Sequence, residues 1–200
     1  MGQFFSKTDF NKDDYEEFAK RLQSQLIELK SEIEHQRQSV PGAASVTLGA
    51  ELEVYLVDKN LAPLPVNLDV LEKLNNPLLQ TELNQYNLEF NLQPVEAKGR
   101  PFQKMAVQLN ETLDSIASAM HEYDGRVIPI GILPTLTEAH LSHDYMTDIP
   151  RYHVLAKQLS SLKGSEFQIN INGEDKLITS SDQVTLEGAN TSFQFHLKTD

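Results

Sequence analysis

The 200-residue sequence contains no cysteine. Without cysteine, the chain has no disulfide bond, zinc–thiolate site or cysteine nucleophile. It also has no stretch of the roughly 18 consecutive apolar residues that a membrane span requires. Its first residues lack the apolar core of a secretory signal. We therefore expect a cytoplasmic protein that does not act at a membrane.

Basic residues are also scarce. The chain has 17 lysines and arginines against 29 aspartates and glutamates, which gives a formal net charge of −12. A nucleic-acid-binding surface needs clustered lysine and arginine, so this composition argues against a nucleic-acid partner. Acidic residues are informative where they lie inside apolar strands, and several of them do.

The spacing of apolar residues divides the chain near residue 40. Residues 1–40 are predicted to form a separate helical segment, with apolar residues at steps of three and four. Residues 41–200 are predicted to form an α+β domain, with helices on one face of a mainly antiparallel sheet. Strands are expected over 45–56, 81–93, 127–133, 166–171, 176–179 and 190–198, and helices over 68–74, 102–123 and 148–163.

Three of the predicted strands carry functional polar groups on one face. These groups are Glu51 and Glu53, then Glu89 and Asn91, then Gln194 and His196. Residues two apart share a strand face and lie about 7 Å apart. Carboxylates placed this way repel each other unless a cation lies between them. Glu82 lies seven residues before Glu89, so it joins that face only from before the strand or across a bulge.

Carboxylate and amide oxygens are the ligands that Mg²⁺ and Mn²⁺ prefer in proteins. Magnesium held by few carboxylates keeps several waters and binds substrate phosphates, which indicates nucleotide chemistry. Taken singly, each polar pair is also typical of solvent-facing or hydrogen-bonded residues in a half-exposed sheet. Their recurrence on three strands favours a shared site.

Short segments of the chain resemble a known family, the glutamate–cysteine ligases and related carboxylate–amine ligases. Segment 49–53 (Gly-Ala-Glu-Leu-Glu) is similar to the first active-site strand of that family. Glu82 with segment 88–91 (Leu-Glu-Phe-Asn) is similar to the second strand, and segment 187–196 to a strand that faces substrate and metal. The segments occur in the family's order over residues 45–198.

The resemblance implies a glutamine-synthetase-like catalytic domain. In it, ATP would phosphorylate the γ-carboxylate of glutamate, and an amine such as that of cysteine would attack the acyl phosphate, as in glutathione biosynthesis. The implied metal ligands, for Mg²⁺ or Mn²⁺, are Glu51, Glu53, Glu82 and Glu89. The implied substrate- or nucleotide-binding residues are Asn91, Gln194 and His196. No catalytic side chain is assigned.

The family's catalytic domain is longer than this chain, so we expect residues 41–200 to be its N-terminal half. None of Arg100, Arg126 and Arg151 lies in a recognisable phosphate-binding loop, and the phosphate-clamping residues are expected beyond Asp200. A half sheet would expose a strand edge and favour a homo-oligomer. Two alternatives stay open: a non-catalytic or regulatory relative, and a ligase that uses a different amine.

Overall fold

The computed structural model describes residues 7–37, 46–181 and 184–198. Over these ranges the chain is mixed α+β, with the following elements. The helices are α1 (Lys12–Arg37), α2 (Asn67–Leu74), α3 (Pro101–Met120), α4 (Pro150–Lys163) and α5 (Thr185–Gly188). The strands are β1 (Thr47–Val57), β2 (Leu79–Thr81), β3 (Asn87–Asn91), β4 (Val95–Glu96), β5 (Arg126–Ile128), β6 (Phe167–Asn172), β7 (Lys176–Ser181) and β8 (Phe193–Lys198). None of the helices in these ranges is long and apolar enough to cross a membrane.

Strand β1 is the centre of a six-stranded sheet in which every pairing is antiparallel. Strands β3 and β4 pair along one side of β1, and β8 and β5 pair along the other. Strand β2 adds to the outer side of β3, and β6 with β7 forms a separate hairpin. The α+β class with antiparallel sheets is therefore confirmed, whereas the glutamine-synthetase-like fold stays a prediction.

One face of the sheet is covered by helices and holds the main core. Leu48, Val54 and Leu56 of β1 are buried there together with core residues of β3, α2 and α3. The alternation along β1 places these apolar side chains on a single face, and their burial stabilises the sheet by about 25 cal/mol per Å² of apolar surface removed from water. Helices α2 and α3 thus lie on one face, as the sequence predicts.

The opposite face of β1 has two different halves. Tyr55 and Val57 are buried there in an aromatic cluster with Tyr86, and the Tyr55 and Tyr86 rings stack with centroids 5.8 Å apart. Glu51 and Glu53, at the other end of the same face, remain only half-buried. The buried tyrosines close one end of this face, and the glutamates lie at its other, open end. We call Glu51, Glu53 and the polar side chains of β3 and β8 on the same face the polar row.

The predicted strand 81–93 is in fact two strands, β2 and β3, separated by a turn. The turn is closed by a hydrogen bond from the backbone N–H of Asn87 to the carbonyl of Asn84. The Asn84 side chain is fully buried and donates to the Tyr86 hydroxyl and to the Thr185 carbonyl. A turn in this position changes the face on which the preceding residues lie.

Two further predictions differ from the structure. The strand predicted over 127–133 ends at Ile128, because Pro129 has no N–H to donate to a neighbouring strand. Helix α4 begins with Ile149 as its N-cap residue, without a side-chain cap. Asp148, where the sequence predicts the helix to begin, precedes it, and its carboxylate lies 2.8 Å from Nε2 of His153.

Helix α1 corresponds to the helical segment predicted over residues 1–40. Asn11 and Asp14 exchange hydrogen bonds at its N-terminus, which satisfies two backbone donors. The side chains of α1 are not buried. The Tyr15 hydroxyl of α1 donates to Gln158 of α4, and Asp9, just before α1, forms an ion pair with Lys157 of α4. The predicted end of the helix near Pro41 lies outside the described residues.

Candidate functional site

The structure brings together three of the four predicted glutamates on the face opposite the helices. One carboxylate oxygen each from Glu53, Glu82 and Glu89 lies within 4.8 Å of the other two, and all three residues are half-buried. Glu53 of β1 lies directly opposite Glu89 of β3 in the strand register. We name Glu53, Glu82 and Glu89 the carboxylate cluster.

Glu82 reaches the cluster from the turn that follows β2. Its carbonyl accepts a hydrogen bond of 2.6 Å from the Thr147 hydroxyl, and its own Oε2 accepts one of 3.2 Å from the backbone N–H of Leu83. These contacts fix the position of Glu82 just beyond the end of β2. The break between β2 and β3 therefore supplies the change of face that a seven-residue step requires.

The cluster has a strong electrostatic signature. Burial, together with the charge and the hydrogen-bonding carboxylate of Glu89 and the charge of Glu53, raises the pKa of Glu82 from 4.5 to about 8. With a pKa of about 8, Glu82 is mainly protonated at neutral pH when no cation is bound. A divalent ion bound among the three oxygens would offset the repulsion between the carboxylates and lower the pKa of Glu82.

Two carboxylates of the cluster are oriented by neighbouring donors. Glu53 accepts hydrogen bonds from the backbone N–H of Ser192 at 2.9 Å, from its hydroxyl at 3.0 Å and from the Gln194 amide at 3.3 Å. Glu89 accepts one of 2.5 Å from the Asn91 amide. Asn91 and Gln194, which the resemblance assigns to substrate or nucleotide binding, contact Glu89 and Glu53 directly.

Glu51 lies on the same face but outside the carboxylate cluster. Its Oε1 is 3.5 Å from Nε2 of His196, and Gln194 of β8 lies directly opposite it. Both Glu51 and His196 are open to solvent in part. These two side chains continue the polar row beyond the cluster, where Glu51 offers a carboxylate and His196 an imidazole to the solvent.

Tyr152 of α4 is a neighbour that the sequence analysis missed. Its hydroxyl donates to the Thr81 carbonyl at 2.8 Å and accepts from the Arg151 guanidinium at 2.6 Å. That guanidinium also lies over the Tyr152 ring, 4.7 Å from its centre. Arg151 is therefore anchored beside the residue that precedes Glu82. The 71-residue separation of Thr81 and Tyr152 gave no local signal for this contact.

The donor set of the carboxylate cluster fits a magnesium-type ion. Oxygen ligands about 2.1 Å from Mg²⁺ lie roughly 3 to 4 Å apart in octahedral geometry. The three oxygens lie within 4.8 Å of one another, so side-chain rotation would have to bring them closer to hold such an ion. Three carboxylates leave further positions for waters or phosphate oxygens.

Comparison of the chain with protein-family models, with curated proteins and with solved structures gives no match. The chemistry of the site therefore rests on the geometry of its own residues.

Proposed function

We propose that the protein is an ATP- and Mg²⁺-dependent carboxylate–amine ligase with a glutamine-synthetase-like catalytic sheet. Its reaction would join the γ-carboxylate of glutamate to the amine of cysteine through an acyl phosphate, in the cytoplasm. The observation that carries this proposal is the convergence of Glu53, Glu82 and Glu89 on the open face of an antiparallel sheet. The sequence resemblance supplies the reaction, and the cluster supplies a place for the metal that the reaction needs.

The residues of the sheet have distinct roles in this proposal. Glu53, Glu82 and Glu89 would hold Mg²⁺ or Mn²⁺, which neutralises phosphate charge when bound. Gln194 and the backbone N–H of Ser192 fix the orientation of the Glu53 carboxylate, and Asn91 fixes that of Glu89. Donors that hold ligands in place reduce the reorganisation needed when an ion binds.

The substrates would contact the open part of the polar row. Glu51 offers a carboxylate to the ammonium group of an amino-acid substrate, and His196 lies beside it. Arg151 of α4 donates to the Tyr152 hydroxyl, which in turn contacts Thr81 at the end of β2. The open part of the face thus offers a carboxylate and an imidazole, and α4 brings a guanidinium near the end of β2.

A product assay on the full-length protein tests the proposal. The protein is incubated with ATP, Mg²⁺, glutamate and a panel of amines that includes cysteine, and the products are identified by mass. We expect one ADP for each new amide. Formation of an amide with another amine would change the acceptor but keep the ligase class. Binding of Mg²⁺ and ATP without any amide product would identify a non-catalytic relative.

Matched glutamine variants test the residue assignment. Glu53→Gln and Glu89→Gln keep the shape of the side chain and remove one charge, so we expect loss of turnover with a retained fold. Glu138→Gln changes an exposed glutamate of a short 3₁₀ helix and is expected to leave turnover unchanged. Full Mg²⁺-dependent turnover in both strand variants would contradict the assignment of the cluster.

A further inference from the structure

Strand β8 has one open edge. Among the described residues β8 pairs only with β1, so the backbone N–H and C=O groups along its other side have no strand partner. Such an edge is a template for pairing with another strand. Phe193, Phe195 and Leu197 point to the helix-covered face of the sheet, yet they remain 53%, 47% and 57% exposed.

The exposed side chains form a connected apolar patch. Phe102, at the start of α3, is 66% exposed, and its ring centroid lies 5.9 Å from that of Phe195. Since an aromatic side chain buries about 150–250 Å² when it is covered, the four side chains together expose on the order of 400 Å². A patch of this size is within the range of the largest apolar patch on a typical monomer, about 300–600 Å², and such patches are often functional.

We propose that a second copy of this chain covers the edge, through antiparallel pairing of β8 with β8 about a two-fold axis at Phe195. The pattern of β8 is symmetric about that residue. With Phe195 opposite itself, Phe193 lies opposite Leu197 of the second copy, and Gln194 lies opposite His196. Every apolar side chain then meets an apolar one on one face, whereas a shift by one residue would place each of them opposite a polar one.

Charge favours the same occupant. Two copies with a net charge of −12 repel each other over most of their surface. The strand Phe193–Lys198, with the sequence Phe-Gln-Phe-His-Leu-Lys, contains no carboxylate. When two copies pair through β8, no acidic residue of one strand therefore faces an acidic residue of the other.

The size of the contact is adequate for a specific dimer. Complete coverage of both patches would supply at most on the order of 800 Å² of apolar surface, and the paired backbones and neighbouring polar side chains would bring the total toward the roughly 1,200 Å² at which specific interfaces begin. Because both copies use the same strand, the interface is isologous and assembly stops at the dimer. It would join the two sheets and place Gln194 of one copy beside His196 of the other.

Sedimentation of the 200-residue chain tests the dimer. Phe195→Lys places two like charges opposite each other on the axis, so we expect a dimeric native chain and a monomeric variant with an unchanged circular dichroism spectrum. Ile178→Lys, on the separate β6–β7 hairpin, is the matched control and should remain dimeric. A monomeric native chain, or a dimer that Phe195→Lys leaves intact, overturns the proposal.

Introduced cysteines test the register against a background without native cysteine. Opposed residues of an antiparallel pair have Cα atoms about 4.5 to 5.5 Å apart, within disulfide range. Phe195→Cys should cross-link to itself. Phe193→Cys should not, because the two copies of that position lie about 13 Å apart, but it should cross-link to Leu197→Cys.

The cross-linking outcomes are decisive in both directions. Equal self-cross-linking of Phe193→Cys and Phe195→Cys overturns the register. A monomer in which the amides of β8 exchange slowly with solvent shows that another segment of the same chain covers the edge, and this result also overturns the proposal.

Discussion

Replacing Glu82 with glutamine is expected to remove a pH dependence of stability that the carboxylate cluster creates. Burial and the neighbouring Glu89 raise the pKa of folded Glu82 to about 8, whereas the unfolded chain releases the same proton near 4.5. Between these values the folded state binds more protons than the unfolded state. The free energy of unfolding of the metal-free protein therefore falls as the pH rises from 4.5 to 8.

The size of the effect follows from the pKa of Glu82. Each pKa unit corresponds to about 1.4 kcal/mol, and the rise from 4.5 to about 8 sets the full range. We expect roughly 2 to 4 kcal/mol, since water and side-chain movement relieve part of the repulsion in the ionised state. Glutamine cannot ionise and can still donate to Glu89, so the variant should match the native protein at pH 5 and exceed it in stability at pH 8.

Urea unfolding at a series of pH values, in the presence of a chelator, measures this difference. Glu51→Gln is the matched control, because Glu51 lies on the same strand face but outside the cluster. We expect it to keep the native pH dependence. Equal slopes for the native protein and Glu82→Gln between pH 5 and 8 would refute the reasoning and show that Glu82 titrates as an ordinary exposed glutamate.

Mg²⁺ should raise the unfolding midpoint of the native protein more at pH 8 than at pH 5.5, because Glu82 must release its proton to bind the ion. Asn67→Leu should destabilise the fold by about 2 to 3 kcal/mol in urea unfolding, since it removes the buried amide that donates to the turn before β3 and to Thr147. Gly188→Ala places a Cβ 2.7 Å from that of Leu83, so it should lower the free energy of unfolding by about 1 to 3 kcal/mol and weaken Mg²⁺ binding. The control Gly131→Ala places a Cβ 3.7 Å from its nearest neighbour, so it should change thermal unfolding little.

Local alternation along the strands was sufficient to predict part of the site. The two-residue period placed Glu53 and Glu89 on polar strand faces, and the antiparallel register then sets them opposite each other. The same period identified the apolar face of β1, on which helices α2 and α3 pack. These features depend on short stretches of sequence, which is why one sequence reveals them.

The remaining features depend on contacts between distant parts of the chain. Glu82 reaches the cluster because a turn interrupts the predicted strand, and buried Asn67 and Thr147 hold that turn. Tyr55 alternates with the glutamates yet is buried under Tyr86. Neither outcome follows from a local period, because each is decided by side chains that come from elsewhere in the fold.

The position of a bound divalent ion distinguishes a metal site from carboxylates that merely lie close together. Crystals of the protein soaked with Mn²⁺ and measured at the manganese absorption edge reveal the ion by its anomalous scattering. We expect a peak about 2.1 Å from carboxylate oxygens of Glu53, Glu82 and Glu89, and no peak there in Glu89→Gln crystals. An empty cluster in the native protein at saturating Mn²⁺, or a peak bound only to other residues, would contradict this expectation.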